Sequence, residues 1–247
     1  MSVPLLSLEN VTKRFGAVEV LRGITLQVSA GEAVAIVGDN GAGKSTLMKT
    51  ITGVHRPNSG RIVFDGTDVT EMSTGNSREL GIEMIYQDLA LAKMQDVASN
   101  IFLGREPTHR LFGIVPIIDR ARIERESEEM IRRLGARVPS VRQQVGLMSG
   151  GQQQSVAIAR ALTFDPKLVI MDEPTAALAV KEIEHVLELI RTLSARGIAV
   201  ILISHRLTDV FAVCDRIIAL RQGTVIADER TSQTSMNAVV SHIVGAS

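Results

Sequence analysis

The sequence predicts an α/β protein with a parallel-sheet core and a helical segment inserted between two α/β portions. The first observation is a set of short, continuous apolar runs, typical of strands buried on both faces, at residues 33–37, 168–171 and 199–203. The second is an amphipathic helical pattern at 182–196, between the last two runs. This strand–helix–strand alternation implies parallel strands joined by right-handed crossovers.

The first third of the chain contains short strands and turns, because apolar residues alternate with polar ones and turn residues separate the runs. The elements predicted there are strands at 5–11 and 18–21, an alternating stretch at 24–28, a turn at 29–32, a helix at 45–51 and a strand at 61–66 that ends in a turn.

Residues from about 90 to 162 favour helix. The clearest segment is 120–134, which combines helical spacing of apolar residues with favourable i, i+4 charge pairs, and this indicates an amphipathic helix with a solvated face. Its apolar residues are Ile123, Met130, Ile131 and Leu134, and its pairs are Glu128/Arg132 and Glu129/Arg133. Pro107, Gly113 and Pro116 predict an irregular connection at 105–119. We predict one domain over 1–247 with a helical subdomain at approximately 88–162.

The composition excludes several classes of function. The chain has 27 Lys and Arg against 27 Asp and Glu, and only 3% aromatic residues, so broad attraction to nucleic acid and aromatic stacking platforms are not expected. The single cysteine, Cys214, fits a reducing compartment. No apolar stretch reaches the ~18–20 residues that span a bilayer. We therefore expect a soluble, cytoplasmic protein without a signal peptide.

The strongest chemical signal is a glycine-rich loop that matches G-x-x-x-x-G-K-[ST] directly after a buried strand and before a helix. Its backbone N–H groups can surround phosphate oxygens, Lys44 supplies a positive charge, and the Ser45 hydroxyl is suited to Mg²⁺. The residues predicted to contact the nucleotide are Gly38, Asp39, Asn40, Gly41, Ala42, Gly43, Lys44, Ser45 and Thr46.

Two further segments complete a phosphoryl-transfer site. Asp172 and Glu173 follow a buried strand; Asp172 is suited to hold Mg²⁺ and Glu173 to accept a proton from an attacking water. Ser149 precedes a predicted helix at 153–162 and can cap it, while two glycines after it leave backbone N–H groups open to an anion.

The loop 38–45, the Ser-Gly-Gly-Gln segment and the strand end at 168–173 together resemble the nucleotide-binding subunits of ATP-binding cassette (ABC) transporters. The Ser-Gly-Gly-Gln signature is specific to that family. The resemblance implies a P-loop NTPase parallel-sheet core with an N-terminal antiparallel β subdomain and an inserted α-helical subdomain, with ATP and Mg²⁺ as ligands. It also implies that two cassettes close head to tail. The signature residues of one cassette would then meet the nucleotide of the other; they are Ser149, Gly150, Gly151 and Gln152.

Three other positions match the family's pattern. Phe15 falls where the family places a ring against adenine, and Gln87 matches the glutamine that contacts Mg²⁺ and the water. His205 matches the histidine that contacts the γ-phosphate. The predicted catalytic residues are therefore Lys44, Gln87, Glu173 and His205, and the predicted metal-binding residues are Ser45, Gln87 and Asp172.

Two positions depart from the family's pattern. Met148 replaces the signature's usual Leu, a volume-conserving change that should cost little. Ala179 stands where many members have Asp and cannot accept a hydrogen bond across a dimer, which puts the usual coupling there in doubt. The segments 52–60 and 174–178 resemble the branch that imports monosaccharides of the fructose and ribose type.

The resemblance implies an ATPase at the cytoplasmic face of the cell membrane that drives sugar uptake. Its implied partners are transmembrane permease subunits, a second, identical cassette and, indirectly, a periplasmic sugar-binding protein, with no nucleic acid. A non-transport cassette ATPase acting on DNA or the ribosome is one alternative, which copurification with either would favour. The other is a small-molecule kinase, which transfer of phosphate to a sugar would establish.

Overall fold

The computed structural model describes residues 3–111, 114–176 and 178–245. They form two compact units. The first contains Met1–Met84, Pro166–Pro174 and Ile190–Ser247, and the second contains Ile85–Asp165 and Thr175–Leu189.

In chain order the strands are β1 (Leu6–Phe15), β2 (Val18–Val28), β3 (Ala33–Val37), β4 (Ser59–Phe64), β5 (Thr67–Asp68), β6 (Ile82–Ile85), β7 (Thr108–Leu111), β8 (Val115–Ile118), β9 (Leu168–Asp172), β10 (Ala199–Ile203), β11 (Arg216–Arg221) and β12 (Thr224–Arg230). The helices are α1 (Lys44–Ile51), α2 (Thr74–Glu79), α3 (Val97–Ile101), α4 (Arg120–Leu134), α5 (Gly150–Leu162), α6 (Val180–Ala195), α7 (Leu207–Val213) and α8 (Met236–Val244).

The first unit contains an antiparallel sheet with the strand order β2-β1-β4-β5. The two segments predicted at 18–21 and 24–28 form one continuous strand, β2, which bends through register shifts against β1. The strand predicted at 61–66 ends at Phe64, because Asp65 and Gly66 turn the chain with φ of 49° and 76°. This sheet is the predicted antiparallel subdomain.

A second, six-stranded sheet has the order β12-β11-β3-β10-β9-β6. Strands β11, β3, β10 and β9 are parallel, and β12 is antiparallel to β11. Every residue of β3 and β10 is buried, as their unbroken apolar sequences predict. Ile203 of β10 stands opposite both Ile36 and Asp172, so the carboxyl ends of three parallel strands are level.

The second unit is mainly helical. Helix α4 has the predicted bounds, and an Asp119 side-chain cap and left-handed Gly135 mark its two ends. The irregular connection predicted at 105–119 is wrong in part, because β7 and β8 form an antiparallel pair of strands there. Pro116 is accommodated in β8, opposite Arg110 in this two-stranded ribbon. Gly113 lies outside the described residues.

None of the helices in the described part of the chain is long and apolar enough to cross a membrane.

Candidate nucleotide-binding and hydrolysis site

The predicted catalytic segments of the first unit meet at one edge of the six-stranded sheet. The glycine-rich loop follows β3, Asp172 ends β9, and His205 lies two residues beyond β10. Because Ile36, Ile203 and Asp172 are aligned in register, the segments that follow these strands emerge side by side. The carboxyl edge of a parallel sheet is where α/β proteins bind ligands.

The loop between β3 and α1 depends on glycine at two positions. Gly38 has φ of 151°, and a Cβ there would lie 2.2 Å from the Leu220 carbonyl oxygen. Gly43 has φ of 105° and is the N-cap residue of α1. Only glycine adopts these conformations without strain. The loop therefore leads directly into the helix, whose first turn contains Lys44, Ser45 and Thr46.

Lys44 extends back over the loop that precedes it. Its Nζ donates to the carbonyl oxygens of Gly38 at 2.6 Å and Asp39 at 3.0 Å. Burial lowers the pKa of the Lys44 ammonium, and the carboxylates of Glu173, Asp172 and Asp39 act in the opposite direction. The nearby carboxylates favour the charged form of Lys44, and a partly desolvated ammonium at this loop can bind phosphate oxygens.

Glu173 is fixed by three contacts with the end of β10. Its backbone N–H donates to the Ile203 carbonyl oxygen at 2.9 Å, and its Oε1 accepts from the backbone N–H of His205 at 3.1 Å. Its Oε2 lies 2.8 Å from His205 Nδ1. Glu173 has a left-handed φ of 50°, an uncommon conformation for a residue with a side chain. Such strain is typical of functional positions.

The surroundings of Asp172 shift its pKa, and those of Glu173 and His205 set how far each side chain is exposed. Burial, followed by the charge of Glu173, raises the pKa of Asp172, while Lys44 and Lys49 lower it. The Glu173 side chain is 15% exposed and that of His205 is 71% exposed. The imidazole is therefore accessible to a ligand while the carboxylate beside it is largely shielded from water.

Phe15 lies at the end of β1 and is 44% exposed, so it is not an ordinary core phenylalanine. The His55 ring packs against it edge-on, with centroids 5.1 Å apart and an interplanar angle of 75°. Lys13 Nζ lies 5.2 Å from the ring centroid. The sequence did not single out His55, because it lies 40 residues from Phe15 and only the fold brings the rings together.

The signature segment belongs to the second unit and caps α5. The Ser149 side chain accepts from the Gln152 backbone N–H at 3.3 Å, and the Gln152 side chain accepts from the Ser149 backbone N–H at 3.0 Å. This reciprocal capping box uses the backbone N–H groups of Ser149 and Gln152. Those of Gly150 and Gly151 lie in the first helical turn and have no acceptor within the helix. Met148, before the cap, is 6% exposed and packs as the predicted apolar residue.

Gln87 follows β6 in a bend and is exposed. It belongs to the second unit, whereas Lys44 and Asp172 belong to the first, and its contact with Mg²⁺ and water stays a prediction. Ala179 is exposed immediately before α6, and its backbone N–H donates to Glu182 Oε2 at 3.1 Å. Sequence inspection did not single out Glu182, although its position three residues after Ala179 is that of the glutamate in a capping box.

The donors at this site suit Mg²⁺. Ser45 offers a hydroxyl and Asp172 a carboxylate, which are the hard oxygen ligands that Mg²⁺ prefers. Within residues 3–111, 114–176 and 178–245 there is no group of three or more His, Cys, Asp or Glu placed to hold a metal ion. A nucleotide-bound Mg²⁺ does not need such a group, because phosphates and water complete its coordination.

The comparison with known families agrees with this geometry. The model of the family described as ABC transporter matches residues 21–176. The chain therefore belongs to the ABC transporter family, and the sequence resemblance is confirmed. It is a cassette ATPase with the P-loop NTPase α/β fold.

Two sugar-import ATP-binding proteins are similar to almost the whole of this chain. The xylose/arabinose import ATP-binding protein XylG of Sulfolobus acidocaldarius is 43% identical over 95% of this chain and 92% of its own length. The ribose import ATP-binding protein RbsA 2 of Streptomyces avermitilis is 42% identical over 98% of this chain and 47% of its own length. The chain thus spans about half the length of such ribose import relatives.

Solved structures share the fold over almost the whole chain. The ATP-binding cassette MJ1267 in its ADP conformation superposes with a TM-score of 0.86 at 28% identity, covering 99% of this chain and 100% of that one. The cassette MJ0796, a dimer in a post-hydrolysis state bound to ADP and Pi, superposes with a TM-score of 0.76 at 26% identity, covering 92% and 98%.

Proposed function

We propose that the chain is the ATP-hydrolysing subunit of an importer for a monosaccharide, acting on a separate permease at the cytoplasmic face of the membrane. The observation that carries this proposal is the Glu173–His205 pair beside the glycine-rich loop, since a shielded carboxylate next to an exposed imidazole suits hydrolysis at a phosphate. The names of the xylose/arabinose and ribose import relatives support a sugar as the transported substrate.

The predicted site residues of the first unit have separate tasks in this proposal. Phe15 stacks on the adenine base, the 38–46 loop surrounds the phosphates, and Lys44 exchanges its loop carbonyls for phosphate oxygens. Ser45 and Asp172 would hold Mg²⁺. The ion, when bound, neutralises charge on the phosphates. Both units together form one cassette.

Glu173 accepts the proton of the attacking water, and His205 contacts the γ-phosphate. The backbone N–H of His205 holds Glu173 Oε1, so the carboxylate is oriented before ATP arrives. A base held in one orientation does not have to be ordered during the reaction. The proton goes to the carboxylate, the water oxygen forms a bond to the γ-phosphorus, and the bond to ADP breaks.

Hydrolysis is coupled to transport through pairing of two identical cassettes. The donors at the start of α5 in one cassette bind the γ-phosphate held by the other, so ATP favours the closed pair and its hydrolysis opens it. The dimeric MJ0796 cassette supports this arrangement. The permease, and indirectly a periplasmic sugar-binding protein, would complete the importer.

Uptake of labelled monosaccharides by cells lacking the gene tests the transport proposal. Wild-type protein should restore uptake of at least one sugar among xylose, arabinose, ribose and fructose, and Glu173→Gln at equal abundance should not. Restoration of uptake by Glu173→Gln would contradict the assignment of the base. If the wild type restores uptake of none of these sugars although the purified protein hydrolyses ATP normally, the proposal of sugar import is contradicted and the assignment as an ATPase stands.

A further inference from the structure

Glu182, in the first turn of α6, packs against the N-terminus of the signature helix α5. Its Cβ, Cγ and Cδ atoms lie 2.8, 2.9 and 3.2 Å from the point that a Cβ on Gly151 would occupy. Glycine at position 151 therefore permits this close approach. Both residues belong to the second unit, so the contact lies within one compact body.

The Glu182 side chain lies beside the first turn of the signature helix. The Ala179 backbone N–H donates to its Oε2 at 3.1 Å. Hydrogen bonding by the Ser149 side chain, and then by the backbone of Ala179 and Gly151, lowers the pKa of Glu182. The side chain is thus held as an anion at the positive end of α5.

A small cavity of about 170 Å³ adjoins this contact. It is lined by Arg137, Ser149, Gly151, Gln152, Lys181, Glu182 and His185. Signature residues and Glu182 therefore border the same cavity. An arriving phosphate would meet the carboxylate and these donors together.

We propose that Glu182 determines nucleotide specificity at the start of α5, where Ser149 and Gly151 would bind the γ-phosphate of a partner cassette's ATP. Its carboxylate holds the donors of Ser149 and Gly151 until the γ-phosphate of a partner cassette's ATP takes its place. This inference rests on the pairing described under the proposed function. The Glu182 carboxylate thus competes with the γ-phosphate from within the cassette's own chain. Glu182 lies three residues after Ala179, the position where many family members have aspartate.

The competition favours ATP over ADP as the nucleotide that closes the pair. A γ-phosphate carries more charge and more acceptor oxygens than one carboxylate, so it can displace Glu182 from α5. ADP offers no γ-phosphate, and the carboxylate then keeps its place. Removing the charge from residue 182 should weaken the competitor, because hydrogen bonds to ionised acceptors are roughly twice as strong as neutral ones.

The test uses the full chain with Glu173→Gln as background, so that ATP is not consumed. Light scattering after size exclusion measures dimer formation against MgATP concentration. Adding Glu182→Gln should lower the ATP concentration for half-maximal pairing by about fivefold, given the strength difference between charged and neutral hydrogen bonds. Glu184→Gln makes the same charge change at an exposed site of the same helix and should leave that concentration unchanged.

An unchanged or higher ATP requirement in Glu182→Gln would overturn the proposal and make Glu182 a structural cap. If Glu182→Gln does not fold, Glu182→Asp retains the charge but withdraws the carboxylate by one methylene; it should shift pairing in the same direction, and no shift would overturn the proposal. Failure of the Glu173→Gln background to pair at any MgATP concentration would instead contradict the proposed pairing itself.

Discussion

Replacing Gly38 with alanine should destabilise the phosphate loop through its backbone. At φ of 151° an alanine would be strained by on the order of 1–3 kcal/mol. Its Cβ would also lie 2.2 Å from the Leu220 carbonyl oxygen, and relieving such overpacking typically costs ~1–3 kcal/mol. We therefore expect Gly38→Ala to lower the free energy of unfolding by about 2–6 kcal/mol.

Gly41→Ala is the matched control in the same loop. Gly41 has φ of 82°, but nothing lies within 4 Å of an added Cβ, so only backbone strain of ~1–2 kcal/mol is expected. Equilibrium unfolding of the nucleotide-free protein in guanidinium chloride measures both variants by their shift in midpoint. Equal shifts for the two, or a Gly38→Ala midpoint at the wild-type value, would refute the steric explanation.

Three other predictions use different observables. Phe15→Ala should weaken ATP binding by about tenfold, since stacking on a base contributes ~1–3 kcal/mol, while Phe15→Tyr should bind normally; equal affinities would remove Phe15 from the site. Asp172→Asn should raise the melting temperature of the nucleotide-free protein at pH 7. The raised pKa of Asp172 means that its ionised form opposes folding, so this gain should vanish below pH ~3.9, and a gain that persists there would contradict it. Burial raises the pKa of Cys214 to about 12, so iodoacetamide should label it only after denaturation, and rapid labelling of the native protein would disprove this.

Elements with one dominant signal were predictable from sequence. The uninterrupted apolar runs of β3 and β10 gave strands with the observed bounds, because both faces of a parallel sheet are buried. The charge pairs and apolar spacing of α4 likewise predicted a helix with the observed bounds. The pairing of β7 with β8 was missed because proline and glycine there indicate a loop, and local sequence does not reveal that two short segments will pair.

The candidate site also combines features that local sequence predicts with features that only the fold creates. The loop 38–45 and the Ser149–Gln152 capping box depend on neighbours in sequence, so their conformation follows from local residue types. The His55–Phe15 contact and the close approach of Glu182 to Gly151 join residues far apart in the chain, and no local pattern encodes them. The 2.8 Å approach of His205 to Glu173 likewise depends on the neighbouring positions of β9 and β10 in the sheet.

The most direct test of the central claim is ATP turnover by purified Glu173→Gln. If Glu173 is the base, the variant should bind MgATP with near wild-type affinity and accumulate as a dimer. Its turnover should fall by about 10²–10⁴, the usual contribution of general base catalysis. Hydrolysis at a near-normal rate, with binding intact, would contradict the account.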